Sequence, residues 1–382
     1  MIYAYILICI LFALMIVEAI HTRHGIKSIS LKIHVNGTRG KSTITKYIST
    51  ALRSSDIKTV GKVTGEIPGL IQPDGHLIPI RRLGPARVNE QFRVIRKAAK
   101  TKAEALVLEC MSINPTLQKI ESLFYKPDIY VISNIRDDHR EKVGARKKQR
   151  VEYACQAIPV NCILVSNDLE NLTAIRLEAE KKNCRLLIPE KLGKKLVNDL
   201  PYGVFAANIE VAVEVAVLAG IDRDVALKSI LDSISDDESC LIQFQIKKTN
   251  AVFLNAFSVN DTDSATDFLT YWSDKLDIHK NLAFIFNTRS DRPLRTKLFS
   301  EWIEKMHNQC RFVIITGDHK EWAYRNLKYL NPGVEIRKLK SNQINEILNI
   351  IDKEYPGTEL IIGIGNIMSE GYKILEKFKN AS

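Results

Sequence analysis

The feature that most constrains the fold of this chain is a glycine-rich turn between an apolar strand and a helix. Residues 31–43 read LKIHVNGTRGKST, and the residues after them continue with helical periodicity. Gly37 and Gly40 permit positive φ and place no Cβ in the way of an anion, so backbone N–H groups at the helix N-terminus can bind phosphate. Lys41 can reach the outer phosphates, and the Ser42 hydroxyl can ligate Mg²⁺. The stretch therefore predicts a nucleotide-phosphate loop.

The spacing of this loop differs from the generic Walker pattern, which would require a glycine where Val35 stands. The chain has the shorter form G-T-x-G-K-S-T. An ordinary glycine turn is the alternative, but Lys-Ser-Thr directly after the second glycine argues against it. The residues expected to bind the nucleotide are Gly37, Thr38, Arg39, Gly40, Lys41, Ser42 and Thr43.

Composition limits the protein class without choosing a function. Of the 382 residues, 45% are hydrophobic and 26% charged, which is typical of globular domains rather than of disordered chains. The net charge of +11 admits nucleic acid, an anionic membrane or a polyanionic substrate as a partner. The seven cysteines form no C-x-x-C pair, which favours reduced thiols in the cytosol.

The N-terminal segment 1–17 has no charged side chain and is a transmembrane candidate at the short limit of length. No basic residue precedes it and no small-x-small site follows, which argues against a cleaved signal peptide. Four basic or titratable residues come next, namely His21, Arg23, His24 and Lys27. By the positive-inside tendency the body then faces the cytoplasm. The alternative is an apolar helix buried within the protein.

Strands and helices alternate along the remainder of the chain, which predicts an α/β fold with parallel sheets. The predicted strands of the first half are 31–35, 105–109, 128–134 and 162–166, and those of the second half include 251–255, 282–287, 311–316 and 360–365. The Gly- and Pro-rich segment 61–91 is expected to be loop and hairpin over an active site. The acidic stretch at 236–239 suggests a boundary. The expected domains are an anchor at 1–20, a central domain at 21–238 and a C-terminal domain at 239–382.

Polar residues at two strand ends extend the predicted nucleotide site. Glu109 ends an apolar strand, where a carboxylate is costly unless it meets a cation, and a magnesium ion or an arginine would both satisfy it. Asn134, Asp138 and His139 follow the next strand, and they can orient phosphate or ligate a metal. Ligands bind beyond the carboxyl ends of parallel strands, so these groups are expected near the loop.

Seven basic residues occupy 136–150. A solvated helix face is the simpler interpretation, and a patch for the inner leaflet or an anionic polymer is the alternative. The run has no interleaved aromatic residues that could stack on bases, which argues against nucleic acid.

The second half has its own cluster of polar strand ends. Arg289, Asp291 and Arg292 follow one strand, and guanidinium groups bind carboxylate or phosphate bidentately. Asn260 follows a neighbouring strand, and Asn366 follows a third. Three polar ends on one edge predict a site for a carboxylate substrate or a nucleotide.

Taken together these motifs resemble the Mur ligase superfamily, and more closely the ligase subunits of poly-γ-glutamate synthases. The shared pieces are G-T-x-G-K-S-T at 37–43, Glu-Cys-Met at 109–111, N-I-x-x-D-H at 134–139, Asn208 opening an apolar helix, N-A-F-x-x-N-D at 255–261, N-x-R-x-D-R at 287–292 and G-I-G-N at 363–366. The resemblance covers essentially the whole chain.

The resemblance implies an ATP-dependent amide ligase at the inner face of the cell membrane, held by one N-terminal helix, with a P-loop central domain and a Rossmann-like C-terminal domain. It implies that glutamate is polymerised through its γ-carboxylate by way of an acyl phosphate, with ATP and Mg²⁺ as cofactors. Small membrane subunits are the implied partners, a homo-oligomer is allowed, and nucleic acid is not expected.

The resemblance also implies residue roles. The catalytic residues would be Lys41, Glu109 and His139, and the metal ligands Ser42, Glu109 and His139. Asn134 and Asn208 would join the loop in binding the nucleotide. The substrate residues would be Asn260, Arg289, Asp291 and Arg292.

The sequence departs from the superfamily at the lysine that many Mur ligases carbamylate. Ala154 falls at that position, and Lys147 or Lys148 could replace it only if the helix shifted. The loop starts at residue 37, so no separate UDP-binding domain precedes it and a nucleotide-sugar acceptor is not expected. The open alternatives are an ATP-binding switch or scaffold at the membrane, a P-loop kinase, and a ligase like folylpolyglutamate synthase.

Overall fold

The structure is a computed structural model that describes residues 2–65, 68–82, 84, 86–136, 146–201, 203–236, 243–246, 251–259, 261–276, 282–306, 308–330, 334–355 and 357–381. The chain divides into two compact units, Met1–Asp237 and Glu238–Ser382. Helices and strands are numbered below in chain order over the described residues. The predicted α/β class is confirmed in both units.

The first unit alternates strands and helices after a long N-terminal helix. Its strands are β1 Leu31–Asn36, β2 Thr59–Val63, β3 Gly69–Ile71, β4 Leu77–Pro79, β5 Ala105–Glu109, β6 Ile129–Ile132, β7 Ile163–Ser166 and β8 Arg185–Leu187. Its helices are α1 Ile2–Lys27, α2 Lys41–Arg53, α3 Asn89–Lys100, α4 Pro115–Tyr125, α5 Lys147–Gln156, α6 Leu172–Lys181, α7 Lys194–Asp199, α8 Ala206–Leu218 and α9 Arg223–Asp236.

The eight strands form one sheet in the order β4-β3-β2-β5-β1-β6-β7-β8. The six consecutive strands β2, β5, β1, β6, β7 and β8 pair in parallel. At the β2 edge, the hairpin β3–β4 adds two antiparallel strands. The residues of β1 are buried from Ile33 to Asn36, because helices cover both faces of a parallel sheet. The carboxyl end of the central strand β1 therefore lies between the ends of β5 and β6.

One buried strand of this sheet was not predicted. The segment 61–91 was expected to be loop and hairpin, and the hairpin is present, but Thr59–Val63 is a fully buried parallel strand. Two of its residues, Gly61 and Lys62, are unusual in a buried strand and kept it from being predicted. Gly61 is required by close packing, since a Cβ there would lie 2.5 Å from Ser49 Oγ, and Lys62 is buried because its ammonium is 2.8 Å from Glu90.

Helix α1 is long and apolar enough to cross a membrane, and its apolar stretch is exposed rather than packed inside the protein. Its C-terminal part, where Thr22, Gly25 and Ile26 are buried, packs against α3. There Ile26 joins the core, and Arg96 Nη1 lies 2.6 Å from Glu18 Oε1. The alternative of a buried core helix is therefore wrong for this segment, and α1 remains a candidate membrane anchor.

The second unit is a smaller α/β sheet in the order β13-β12-β11-β14-β10-β9. Its strands are β9 Gln243–Gln245, β10 Val252–Asn255, β11 Leu282–Thr288, β12 Cys310–Gly317, β13 Glu335–Lys338 and β14 Leu360–Ile364. Its helices are α10 Thr262–Leu276, α11 Pro293–Lys305, α12 Lys320–Leu330, α13 Ile347–Glu354 and α14 Glu370–Ala381. All neighbours pair in parallel except β9, which is antiparallel to β10.

A 3₁₀ helix, Ser341–Glu346, follows β13 and leads into α13. The predicted adjacency of three strand ends is present, because β11, β14 and β10 are consecutive in the sheet.

Candidate active site

The glycine loop leaves the middle of the first sheet and enters α2. In the parallel register Val35 pairs with Glu109 on one side, and Asn36 pairs with Ile132 on the other. The loop, Glu109 and the segment after β6 therefore meet at one edge of the sheet. This is the edge at which open α/β sheets bind their ligands.

The backbone of the loop depends on its two glycines. Gly37 has φ of 126° and Gly40 has φ of 80°, both in the region that side chains disfavour. A Cβ on Gly40 would also lie 2.5 Å from Asn208 Oδ1. Asn208, the predicted nucleotide residue on α8, is thus placed directly against the N-terminus of α2.

Asn134 braces the loop from the segment after β6. Its backbone oxygen accepts from Thr38 N at 2.8 Å, and its side-chain oxygen accepts from Arg39 N at 3.1 Å. Ser133 Oγ donates to Arg39 O at 2.6 Å from the same segment. Since these bonds use two loop N–H groups, the loop is held in shape by its neighbour as well as by its own sequence.

Lys41 folds back over the loop that it follows. Its Nζ donates to Gly37 O at 2.9 Å and lies 3.4 Å from Thr38 O. The ammonium is therefore already at the loop, where charge on a bound phosphate would attract it. Thr43 follows in the first turn of α2 and is half-buried.

Ser42 and Glu109 present two oxygens suited to a divalent cation. Ser42 Oγ donates to Glu109 Oε2 at 2.7 Å, close to the roughly 3 Å that separates adjacent ligands of Mg²⁺ with bonds of about 2.1 Å. Thr64 N also donates to Glu109 Oε2 at 2.6 Å and fixes the carboxylate. Among the described residues, the Glu109 carboxylate accepts from Ser42 Oγ and Thr64 N, and no arginine forms an ion pair with it. The residues present thus fit a magnesium ion.

A small cavity of about 100 Å³ opens beside the loop. On one side it is lined by Gly37, Thr38 and Lys41, and on the other by three residues of α5, namely Arg150, Tyr153 and Ala154. Ala154 therefore faces the phosphate loop, as its alignment with the carbamylated lysine implied, but it carries no amine. Lys147 instead pairs with Glu170, and neither Lys147 nor Lys148 lines this cavity.

Arg150 and Tyr153 were not singled out by the sequence. Arg150 is the last residue of the basic run 136–150, and it is buried, so the solvated-face interpretation is wrong at this position. The position of Arg150 at the end of a basic run, one helical turn before Ala154, was the sequence signal that could have identified it.

Predicted residues Asp138 and His139 lie outside the described residues, and so does Asn260.

In the second unit, Arg289 and Asp291 bind each other. Arg289 Nε and Nη2 donate to the two oxygens of Asp291 at 2.7 and 2.6 Å. Arg292 directly precedes α11. Asn287, at the end of β11, is structural: its Nδ2 donates to Asn366 O and Met368 O, and its Oδ1 accepts from Thr316.

A buried polar layer lies under the phosphate loop. Helix α4 begins after Asn114, whose side chain accepts from two backbone N–H groups, and it carries the buried carboxylate Glu121. His34 Nε2 is 3.6 Å from Glu121 Oε1, too far for a standard hydrogen bond. Gln91 Nε2 donates to Glu121 Oε1 at 2.5 Å, and also to Glu109 O at 3.0 Å. Gln91 therefore links the buried carboxylate to the strand that ends in Glu109.

The surroundings of Glu121 lower its pKa and so favour the ionised form despite burial. Burial opposes ionisation, but the nearby His34 ring and the hydrogen bonds from Gln91 and Met111 outweigh it and lower the pKa of Glu121 to about 2. Glu90 behaves in the same way, because Arg82 and Lys62 outweigh its burial and hold its pKa at about 2.

We expect Glu121→Gln to lower the free energy of unfolding by about 2–3 kcal/mol at pH 7. A lowered carboxylate pKa contributes stability above the unfolded value of about 4.3, and this contribution is lost as pH falls toward 2. The difference in thermal midpoint between wild type and variant should therefore shrink as the pH is lowered from about 5 to about 3.

The control is Glu152→Gln on α5, which removes an exposed carboxylate. It should leave the midpoint within about one degree of wild type. A Glu121→Gln protein as stable as this control, or a difference that does not change with pH, would contradict the assignment of a buried charge.

Comparison with known proteins agrees with this geometry. Residues 35–192 match the model of the Mur ligase middle domain, and residues 241–381 match that of the poly-gamma-glutamate synthase CapB C-terminal domain. The capsule biosynthesis protein CapB of Bacillus anthracis is 30% identical over 353 residues, covering 90% of this chain and 75% of the relative. The PGA synthase CapB of Bacillus subtilis (strain 168) is 29% identical over 374 residues, covering 95% and 93%.

Among solved structures, E. coli FolC in complex with ADP has a TM-score of 0.69 at 12% identity and covers 95% of this chain and 92% of its own. At that identity the likeness concerns the fold alone. The two domain matches and the relatives confirm the resemblance on which the site residues were chosen. The chain therefore belongs to the CapB family and is an ATP-dependent ligase of the Mur type.

Proposed function

We propose that this chain polymerises glutamate through its γ-carboxylate, using ATP to form an acyl phosphate. The observation that carries the proposal is the Ser42–Glu109 oxygen pair beside a braced phosphate loop, because it joins a cation site to a phosphate site. The choice of glutamate is supported by the C-terminal domain match and by the PGA synthase relative.

Residues 37–43 would bind the β- and γ-phosphates of ATP through the backbone N–H groups at the N-terminus of α2, since those of Thr38 and Arg39 donate to Asn134. Lys41 would leave the carbonyls of Gly37 and Thr38 and follow the charge that builds during transfer. Ser42 and Glu109, with the predicted ligand His139, would hold Mg²⁺, which when bound neutralises phosphate charge. Asn134 and Asn208 would keep the loop in its binding shape.

The reaction has two steps. A γ-carboxylate oxygen of the acceptor attacks the γ-phosphorus, forming an acyl phosphate and releasing ADP. The amine of the incoming glutamate then attacks the acyl carbon, loses a proton and displaces phosphate to leave an amide. Arg289 and Arg292 are proposed to hold substrate carboxylates, with Asp291 and Asn260 as further substrate residues, and Arg289 would then exchange Asp291 for its substrate.

The exposed apolar helix α1 is proposed to anchor the chain in the cytoplasmic membrane with the catalytic body inside the cell. Small membrane subunits of the synthase are the proposed partners, and association with further copies is compatible with this arrangement.

The deciding experiment uses the full chain in detergent with ATP, glutamate and hydroxylamine. A ligase should release ADP and phosphate in response to glutamate, and hydroxylamine should trap a glutamyl hydroxamate. A kinase would leave phosphate on its product, and a switch or scaffold would give neither result. A ligase specific for folates would need a folate acceptor, so turnover with glutamate alone excludes it.

A further inference from the structure

A second cavity of about 600 Å³ lies between the hairpin β3–β4 and the helix α3. Its volume is within the roughly 300–1,000 Å³ of ordinary ligand sites. We call it the basic groove, and define it by four cations around an apolar floor: Arg81, Arg87, Arg93 and Lys97 over Leu70, Ile78 and Val94.

The helical wall of the groove is a single face of α3. Glu90, Arg93, Val94 and Lys97 are spaced i, i+3, i+4 and i+7, so they lie above one another along the helix. Val94 is buried in the floor, whereas Arg93 and Lys97 are exposed at the rim. The groove is therefore apolar below and cationic above.

No acidic side chain among the described residues neutralises the four cations of the groove. Among the described residues, Arg81, Arg87, Arg93 and Lys97 form no ion pair or side-chain hydrogen bond. The acid among the described lining residues is Glu90, which Lys62 and Arg82 already bind at 2.8 Å.

The groove begins next to the candidate catalytic edge. Gln91, adjacent to Glu90 in the first turn of α3, donates to the backbone oxygen of Glu109 at 3.0 Å. Arg82, which also lines the groove, has a raised pKa because its hydrogen bond to Glu90 outweighs its burial. The negative charges of Glu90 and Glu109 raise this pKa further, so Arg82 interacts electrostatically with the carboxylate of Glu109. From there the groove follows α3 toward its contact with α1.

We propose that the basic groove binds the growing γ-linked chain, with its rim cations pairing successive α-carboxylates and its floor contacting the methylene groups between them. Such a chain repeats one carboxylate and two methylenes per residue, which matches a cationic rim over an apolar floor. This inference rests on the proposed function, because it takes the polymer of that reaction as its ligand.

The test measures binding of fluorescently labelled poly-γ-glutamate to the full chain in detergent, without ATP. The variant Arg87→Ala/Arg93→Ala removes two exposed cations of the rim. The matched control, Lys194→Ala/Lys195→Ala, removes two exposed cations of α7, which does not line the groove. Both variants are checked for an unchanged thermal midpoint.

We expect the groove variant to bind the polymer about tenfold or more weakly, with the control within about twofold of wild type. The slope of log affinity against log salt should also fall by about one to two in the groove variant. Equal binding by the two variants would overturn the proposal, because charge anywhere on the surface would then explain retention.

A lipid headgroup is the competing ligand for a basic groove near a membrane helix. If phosphatidylglycerol in the micelles separates the groove variant from the control and the polymer does not, the proposal is wrong. Because the assay contains no ATP, it reads the groove even where hydroxamate trapping fails, so failure of the groove and failure of the ligase chemistry are distinguished.

Discussion

Replacing Lys41 with alanine is expected to lower glutamate-dependent ATP turnover by about 10³-fold. The ammonium already lies on the loop, 2.9 Å from Gly37 O, and after its removal the loop offers only backbone N–H groups against the charge of the transferring phosphate. The measurement is release of ADP and phosphate by the full chain, with nucleotide binding measured separately to divide the loss between affinity and turnover.

The matched control is Lys46→Ala, which removes an exposed lysine from the same helix, α2. It should retain turnover within about twofold of wild type. Since Lys41 also bonds two loop carbonyls, the thermal midpoint of each variant must be compared to exclude unfolding. Near-normal turnover in a folded Lys41→Ala protein would remove this loop from the mechanism.

Glu109→Gln should weaken divalent-cation binding in the presence of a non-hydrolysable ATP analogue by about 100-fold or more. Glutamine keeps the shape of the side chain, and its oxygen can still accept from Thr64 N, but it lacks the charge that a hard cation requires. Electron paramagnetic resonance of Mn²⁺ reads the affinity directly, and turnover should recover in part as Mg²⁺ is raised.

Glu104→Gln is the control for this substitution, because Glu104 is an exposed carboxylate that precedes the opposite end of the same strand. It should bind Mn²⁺ as wild type does. Unchanged Mn²⁺ affinity in Glu109→Gln would show that the Ser42–Glu109 pair is only a hydrogen bond that holds the loop.

The sheet and the loop could be predicted because their signals are local. Buried parallel strands appear as apolar runs, and a glycine turn followed by Lys-Ser-Thr has few interpretations other than a phosphate loop. The strand β2 could not be predicted in the same way. Its Gly61 and Lys62 are residue types that are rare in strands. Their presence is explained by the packing of Ser49 from α2 against Gly61 and by the ion pair of Lys62 with Glu90 from α3.

The neighbours of the loop were predicted in part. Asn134 was predicted from its strand end and Asn208 by resemblance. The bracing of the loop by Asn134 joins residues 95 positions apart, Asn134 and Arg39, which spacing alone does not reveal. Arg150 and Tyr153 face the loop because of how α5 packs, and a basic run gives no information on which member turns inward. For Asn287, the motif indicated importance and the structure assigns it to holding the end of β11.

Helix α3 has a consequence for where the reaction takes place in the cell. Its first turn holds the backbone of Glu109 through Gln91, and its last turns pack on α1, where Gly25 leaves room for Ala99. Twelve residues of helix span about 18 Å, so one short helix joins the strand that ends in Glu109 to the candidate anchor α1. With α1 embedded, every bond would be made at one fixed height above the lipid, and new polymer would emerge beside the bilayer rather than in the open cytosol.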